Sequence, residues 1–244
     1  MKSLTRTLAI SHRVLLQIAS DKRTVALMLV VPSLLTGLFS WMLNSQQAFN
    51  QVGPRLVGLF PFTVMFLLAS ITTLRERQSG TLERYLTMPM KRGEFIVGYA
   101  LSFGLMAIIQ ATVTLMFAIW VCGLTMDDNF GLLLLAALAN AILGMSLGLF
   151  LSAFARSEFQ VMQFMPAFIF PQIILGGLFI PIAQMPDALQ AISNWLPLTH
   201  ALRALTDLAA GAANQDIWIE IGMVGLVSLG SLLLGALTLR KKTA

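Results

Sequence analysis

Residues 74–97 read LRERQSGTLERYLTMPMKRGEFIV, from Leu74 to Val97. This is the longest charged interval of the chain, and apolar runs long enough to cross a bilayer lie on both sides of it. Arg75, Arg77, Arg84, Lys91 and Arg92 assign it to the cytoplasmic face, because short loops rich in Lys and Arg stay inside. Gly80 breaks one helix and Pro89 stops the next. Between them Leu82, Tyr85 and Leu86 recur at helical spacing, so one face is apolar, while Glu83, Arg84 and Thr87 point elsewhere. Thr81 can cap this short helix, and Glu83 in its first turn suits the helix dipole. The expected object is a short amphipathic helix slung between two membrane helices, a shape suited to docking on a cytoplasmic partner that pushes or pulls.

Composition agrees with a membrane setting. The 244 residues are 57% hydrophobic and 11% charged, against about 25% charged in an ordinary globular chain. The expected class is an all-α integral membrane protein, with residues 1–244 forming one helical domain. The +5 net charge is explained by its placement and does not point to nucleic acid. A single cysteine, Cys122, excludes an internal disulfide and a cysteine-based metal cluster.

Working outward, the expected spans are about 24–43, 56–74, 95–122, 130–154, 159–180 and 217–239. Both termini then fall inside. Fourteen of the 16 Lys and Arg are inside, with only Arg55 and Arg203 outside. Residues 2–23 read either as a helix on the inner membrane surface, with Leu4, Leu8, Leu15 and Ile18 on one face, or as a positive flank orienting the first span. A cleaved signal peptide is not expected there. Residues 44–53 read as an outer loop. In the fourth span Ala136, Asn140, Gly144, Gly148 and Ser152 recur every fourth residue, a stripe that lets helix backbones approach closely within or between subunits, with a substrate wall as the alternative reading. Pro166 and Pro171 interrupt the fifth span, whose freed carbonyls call for protein or water partners, so that span is expected to face the protein interior. Between 181 and 216 two short apolar helices, one carrying Leu189, Ile192 and Leu196 and the next capped by Thr199 and ending near Gly211, fit a re-entrant hairpin in the outer leaflet.

The chemistry-bearing residues are few. No lysine follows a glycine, so the phosphate-binding loop Gly-x-x-x-x-Gly-Lys-Ser/Thr is absent and ATP-driven work requires another subunit. His12 and His200 fall on opposite sides of the membrane and cannot share a metal. The span centres carry no charge, with Glu94 near the inner interface and Glu220 near the outer one, which counts against an ion-driven carrier and favours apolar or amphipathic cargo. Gln110, Asn140, Gln163 and Gln172 are the intramembrane polar groups, as path lining or as hydrogen-bonding partners between helices.

Two stretches resemble the membrane subunits of ABC-2 type exporters: Glu76, Arg77, Gly80, Thr81, Leu82, Glu83, Arg84, Leu86 and Pro89 in the charged interval, and Asn194 to Leu205 before the last span, including Pro197, Thr199, His200 and Arg203. The resemblance implies that the first stretch, with Tyr85, docks on an ATPase subunit and that the second forms an outer lid. It implies two ATPase copies holding ATP and magnesium, no cofactor on this chain, a second permease chain as homodimer or heterodimer, and a place in the cytoplasmic (inner) membrane. The implied cargo is a drug, a lipid or a lipid-linked glycan, exported by a non-catalytic permease. An ATP-independent carrier or a membrane assembly scaffold is the alternative reading.

Overall fold

The computed structural model describes residues 2–79, 92–125, 130–211 and 215–238. The described residues are helical, without strands. A first helix, α1 (Lys2–Ser20), is followed by α2 (Lys22–Leu43), α3 (Gln46–Gln78), α4 (Arg92–Trp120) and α5 (Phe130–Leu151). Two pieces, α6 (Glu158–Phe164) and α7 (Phe170–Leu175), flank a π-helical turn at Met165–Ile169. Short helices α8 (Asp187–Ser193) and α9 (Pro197–Ala209) precede α10 (Gln215–Thr238). Five of these, α2, α3, α4, α5 and α10, are long and apolar enough to cross a membrane.

The central element is α3, at 33 residues longer than the expected span. It begins at Gln46, so residues 46–53 of the expected outer loop 44–53 are helix. Ser45 caps it, its hydroxyl accepting from the Ala48 N–H. The polar residues of that turn dock sideways. Gln46 donates to the carbonyl of Cys122 at 3.3 Å, and Asn50 accepts from the Thr125 N–H at 3.1 Å. Gly123, at φ +71°, turns the chain after α4 beneath them.

The second correction concerns the expected fifth span, which is a chain of three helical pieces. Pro166 opens the π turn and Pro171 the piece after it, and neither has an N–H to give to the preceding helical turn. The wider π turn then closes with the Phe170 N–H on the Met165 carbonyl. Its faces are largely exposed in the single chain: Phe159, Met162, Phe168, Phe170 and Ile174 are open, and Val161, Ile169 and Gln172 are buried. One side of the segment therefore packs inward and the other is open within one copy.

On α1 the two sides differ. Thr7, Ile10, Ser11, Val14 and Ile18 pack inward, while Leu4, Leu8 and Leu16 stay exposed. Ile10 lies so close to α4 that a side chain at Gly98 would meet it at 2.8 Å. In α8 the apolar stripe is open, with Leu189 and Ile192 exposed. In α9 Ala201, Leu202, Leu205 and Leu208 are buried. That helix starts at Pro197 after Leu196, so Thr199 does not cap it. Thr199 is buried, its hydroxyl 3.4 Å from that of Ser193. Gly211, at φ +81°, lies just past the end of α9.

Candidate functional site

At the basic end of α3 three helices meet on one ion pair. Glu76 is in the last turn, its carboxylate turned inward. Arg13 of α1 donates from Nη1 to Glu76 Oε1 at 3.0 Å and from Nη2 to the Tyr99 hydroxyl of α4 at 3.0 Å. Tyr99 is stacked on Phe95 with ring centroids 4.3 Å apart. The Glu76 side chain is 4% exposed and that of Arg13 33%. The pair is thus buried on one side and half-solvated on the other, a geometry in which removing one partner costs far more than an exposed pair is worth. Glu76, grouped by sequence with the docking segment, therefore holds helices together and presents no surface to a partner. Arg77 is half-buried, and burial pushes its guanidinium below the ordinary value. Gly80, Thr81, Leu82, Glu83, Arg84, Tyr85, Leu86 and Pro89 lie outside the described residues.

Beside this clamp, Arg75 grips Glu158 at the start of α6, Nε to Oε1 at 2.7 Å and Nη2 to Oε2 at 3.2 Å. The hydrogen bond and charge of Arg75 hold the Glu158 carboxyl below its usual range. Gln78 donates to the Arg156 carbonyl at 2.9 Å. The broken fifth segment is thereby fastened to the same end of α3.

Midway along the bundle, the small-residue stripe of α5 lies against α3. A Cβ at Gly144 would stand 2.2 Å from the Phe62 carbonyl oxygen, and one at Gly148 2.4 Å from that of Phe66. Ser70 donates across the contact to the Gly148 carbonyl at 3.0 Å. Ala136 and Ser152 are buried on the same stripe. Asn140, fully buried, has neither amide atom hydrogen-bonded among the described residues, and it faces Gly58 of α3. Gln110 donates to the Met28 carbonyl at 2.9 Å, tying α4 to α2, and Gln172 donates within its own helix to Phe168 at 3.1 Å. Gln163 is exposed.

At the opposite end, α9 is pinned to α10 and α3. His200 contacts Glu220 of α10 through Nδ1, and its Nε2 is 2.9 Å from the Asn194 carbonyl. Arg203 donates to Asn194 Oδ1 at 2.6 Å and stands 3.9 Å from Glu220. Arg55 of α3 donates to Thr206 at 3.1 Å and to the Gly177 carbonyl at 2.7 Å. Burial pushes the Asp207 carboxyl up, against the pull of Arg203 and Arg55. Among the described residues no group of three His, Cys, Asp or Glu could hold a metal.

Sequence reasoning singled out Asn194, Pro197, Thr199, His200 and Arg203. It missed Glu220 as their partner, Arg13 and Tyr99 as partners of Glu76, and Ser70 opposite Gly148. One signal was available for Arg13. Ile10, Val14 and Ile18 recur every fourth residue, a second apolar stripe whose inner edge carries Arg13.

A sequence model of the ABC-2 type transporter family matches residues 5–209. The chain is similar to ABC transporter G family member 20 of Dictyostelium discoideum, 28% identical over 176 residues, covering 71% of this chain and 24% of that protein. It is similar to the linearmycin resistance permease protein LnrN of Bacillus subtilis (strain 168), 28% identical over 172 residues, covering 68% and 44%. It also resembles the probable multidrug ABC transporter permease YbhR of Escherichia coli (strain K12), 25% identical over 170 residues, covering 70% and 45%. The matched region is therefore less than half the length of each of these relatives.

Proposed function

The chain belongs to the ABC-2 type transporter family, and on that footing we propose that it is the membrane permease subunit of an ATP-driven exporter. The observation that carries the reading is the Arg13–Glu76–Tyr99 clamp, which fixes the end of α3 at the point where the chain enters 80–91. A helix anchored there to α1 and α4 can transmit displacement of that segment into the bundle. The segment, with Thr81, Glu83, Arg84 and Tyr85 as its docking groups, rests on an ATPase subunit that holds ATP and magnesium. Two ATPase copies and a second permease chain complete the assembly. The differential affinity of ATP for the closed ATPase pair supplies the bias that moves the two permease chains.

In this reading the pieces from Glu158 to Leu175 make one broken crossing, 18 residues and about 27 Å at 1.5 Å per residue. That gives six spans with both termini cytoplasmic in the inner membrane. Cargo leaves past α8 and α9, held shut by the His200–Glu220 and Arg203–Asn194 contacts. A hydrophobic or amphipathic cargo suits a bundle whose span centres carry no charge, and it is consistent with the multidrug and linearmycin-resistance names of relatives. The test is the double exchange Glu83→Arg with Arg84→Glu. The expected result is normal membrane insertion with loss of ATPase co-purification, and undiminished co-purification removes the docking assignment.

A further inference from the structure

His200 of α9 is held between two acceptors. Its Nδ1 contacts the Glu220 carboxylate of α10, and its Nε2 is 2.9 Å from the backbone carbonyl of Asn194, the residue that ends α8. A neutral imidazole has one N–H and one lone pair, whereas a carbonyl oxygen and an ionised carboxylate have lone pairs alone. Both contacts are therefore made only when the His200–Glu220 pair holds one proton beyond a neutral imidazole and a carboxylate. The count is the same whether that proton rides on Nδ1 or on the Glu220 oxygen.

Losing the proton breaks one contact in particular. The N–H that remains goes to the charged oxygen, the stronger acceptor. The Nε2 lone pair then faces the Asn194 carbonyl, and two acceptors do not stay 2.9 Å apart. The His200 and Glu220 side chains are 14% and 18% exposed, which leaves little room for a water to bridge the gap. Asn194 keeps its side-chain bond to Arg203 at 2.6 Å, but the backbone at the end of α8 is let go. That helix has little else to hold it. Leu189 and Ile192 are exposed, and Ser193, which donates to the Leu175 carbonyl at 2.8 Å, is its buried residue.

Glu220 is the one acid within 4 Å of the ring among the described residues. The other charges at this end are Arg203 and Asp207 on α9 itself, Arg55 on α3, Asp187 at the start of α8 and Asp216 one turn before Glu220 on α10. The helices α5 and α7, which also pack on α9, carry none.

We propose that His200 and Glu220 form a proton-binding site, and that its proton locks the end of α8 to α9 and α10. Histidine changes charge between about pH 5 and 8. The locked arrangement binds the extra proton, so it is favoured in acid and lost as pH rises. As a control on cargo exit the site rests on the exporter reading above, whereas the lock itself does not.

The test is hydrogen exchange of the chain assembled with its ATPase in lipid nanodiscs, at about pH 5.5 and about pH 8.5, with each rate corrected for the intrinsic effect of pH. Protection across 187–196 should fall about tenfold at the higher pH, the scale of one charge-assisted hydrogen bond, with α5 unchanged. His200→Gln has no titrating ring. Glu220→Gln offers the ring a donor as well as an acceptor, so a neutral imidazole satisfies both contacts. In each variant the ratio of protection between the two pH values should collapse to about one. His12→Gln, at an exposed position of α1, and Asp207→Asn should leave the ratio as it is. A ratio near one in the unsubstituted chain, or one that survives both His200→Gln and Glu220→Gln, overturns the proposal. So does a ratio that disappears in Asp207→Asn. ATP-driven efflux from vesicles separates the two claims. A His200-dependent ratio without ATP-driven efflux at either pH sinks the exporter reading and leaves the lock. ATP-driven efflux with a ratio that ignores His200 does the reverse.

Discussion

Removing either member of the Arg13–Glu76 pair should have unequal effects, and the inequality follows from burial. In Arg13→Gln the Glu76 carboxylate keeps its 4% exposure and loses its cation. Breaking a fully buried pair costs about 3–5 kcal/mol, and the lower figure, about 3 kcal/mol, is expected because water reaches the Arg13 side. In Glu76→Gln the arginine, 33% exposed, can turn to solvent while keeping Tyr99, so about 1.5 kcal/mol is expected. The double variant leaves two neutral amides able to bond each other and should cost about 2 kcal/mol, less than Arg13→Gln alone. The coupling is then about 2.5 kcal/mol, within the range of contacting pairs. The assay is a double-mutant cycle on unfolding of the purified chain in one fixed detergent, with ATP hydrolysis of the assembled complex read beside it. Hydrolysis stimulated by cargo should fall in both single variants and recover in part in the double. Single effects that add to within about 0.5 kcal/mol, or a Glu76→Gln cost equal to that of Arg13→Gln, would refute the reasoning.

Three further outcomes are expected. Gly144→Val and Gly148→Val force a Cβ onto the α3 backbone and should each cost about 3 kcal/mol or prevent folding, whereas Gly225→Ala on α10, with open space around it, should be neutral or slightly stabilising in the same assay. The carboxyl of Glu158 is held below its unfolded value, so its contribution is present above the ordinary carboxylate range and is lost as pH falls through the lowered value. The effect is small because both groups are exposed, and Glu158→Gln should remove that segment of the stability–pH curve. Glu220→Gln takes away the carboxylate shared by His200 and Arg203 and should raise amide exchange across 197–209 about tenfold, with α5 unchanged. Unaltered exchange there would mean that α9 is held by packing alone.

The long helices were legible because a bilayer demands about 20 apolar residues in one run, and the fourfold spacing of small residues in α5 marked its close face in advance. Residues 46–53 at the start of α3 were not, since Gln46 and Asn50 are as polar as loop residues and only their contacts with the turn after α4 show why they are helical. Pro166 and Pro171 announced a break but not the π turn that accommodates it. The clamp was half visible. Glu76 stood out within the charged interval, but its partner lies 63 residues away, and Arg13 on a surface helix reads as a headgroup anchor. His200 and Glu220 were each noticed at the outer interface, and their meeting depends on how α9 lies on α10, which no local pattern encodes.

The central claim, that the bundle has no engine of its own and is worked from its basic end, is tested most directly in vesicles. The purified chain is reconstituted alone and with its ATPase, and efflux of a loaded hydrophobic cargo is followed with and without ATP. The account predicts efflux only when both the ATPase and ATP are present, abolished by Glu83→Arg with Arg84→Glu. Efflux by the chain alone, driven by an ion gradient or by none, would contradict it.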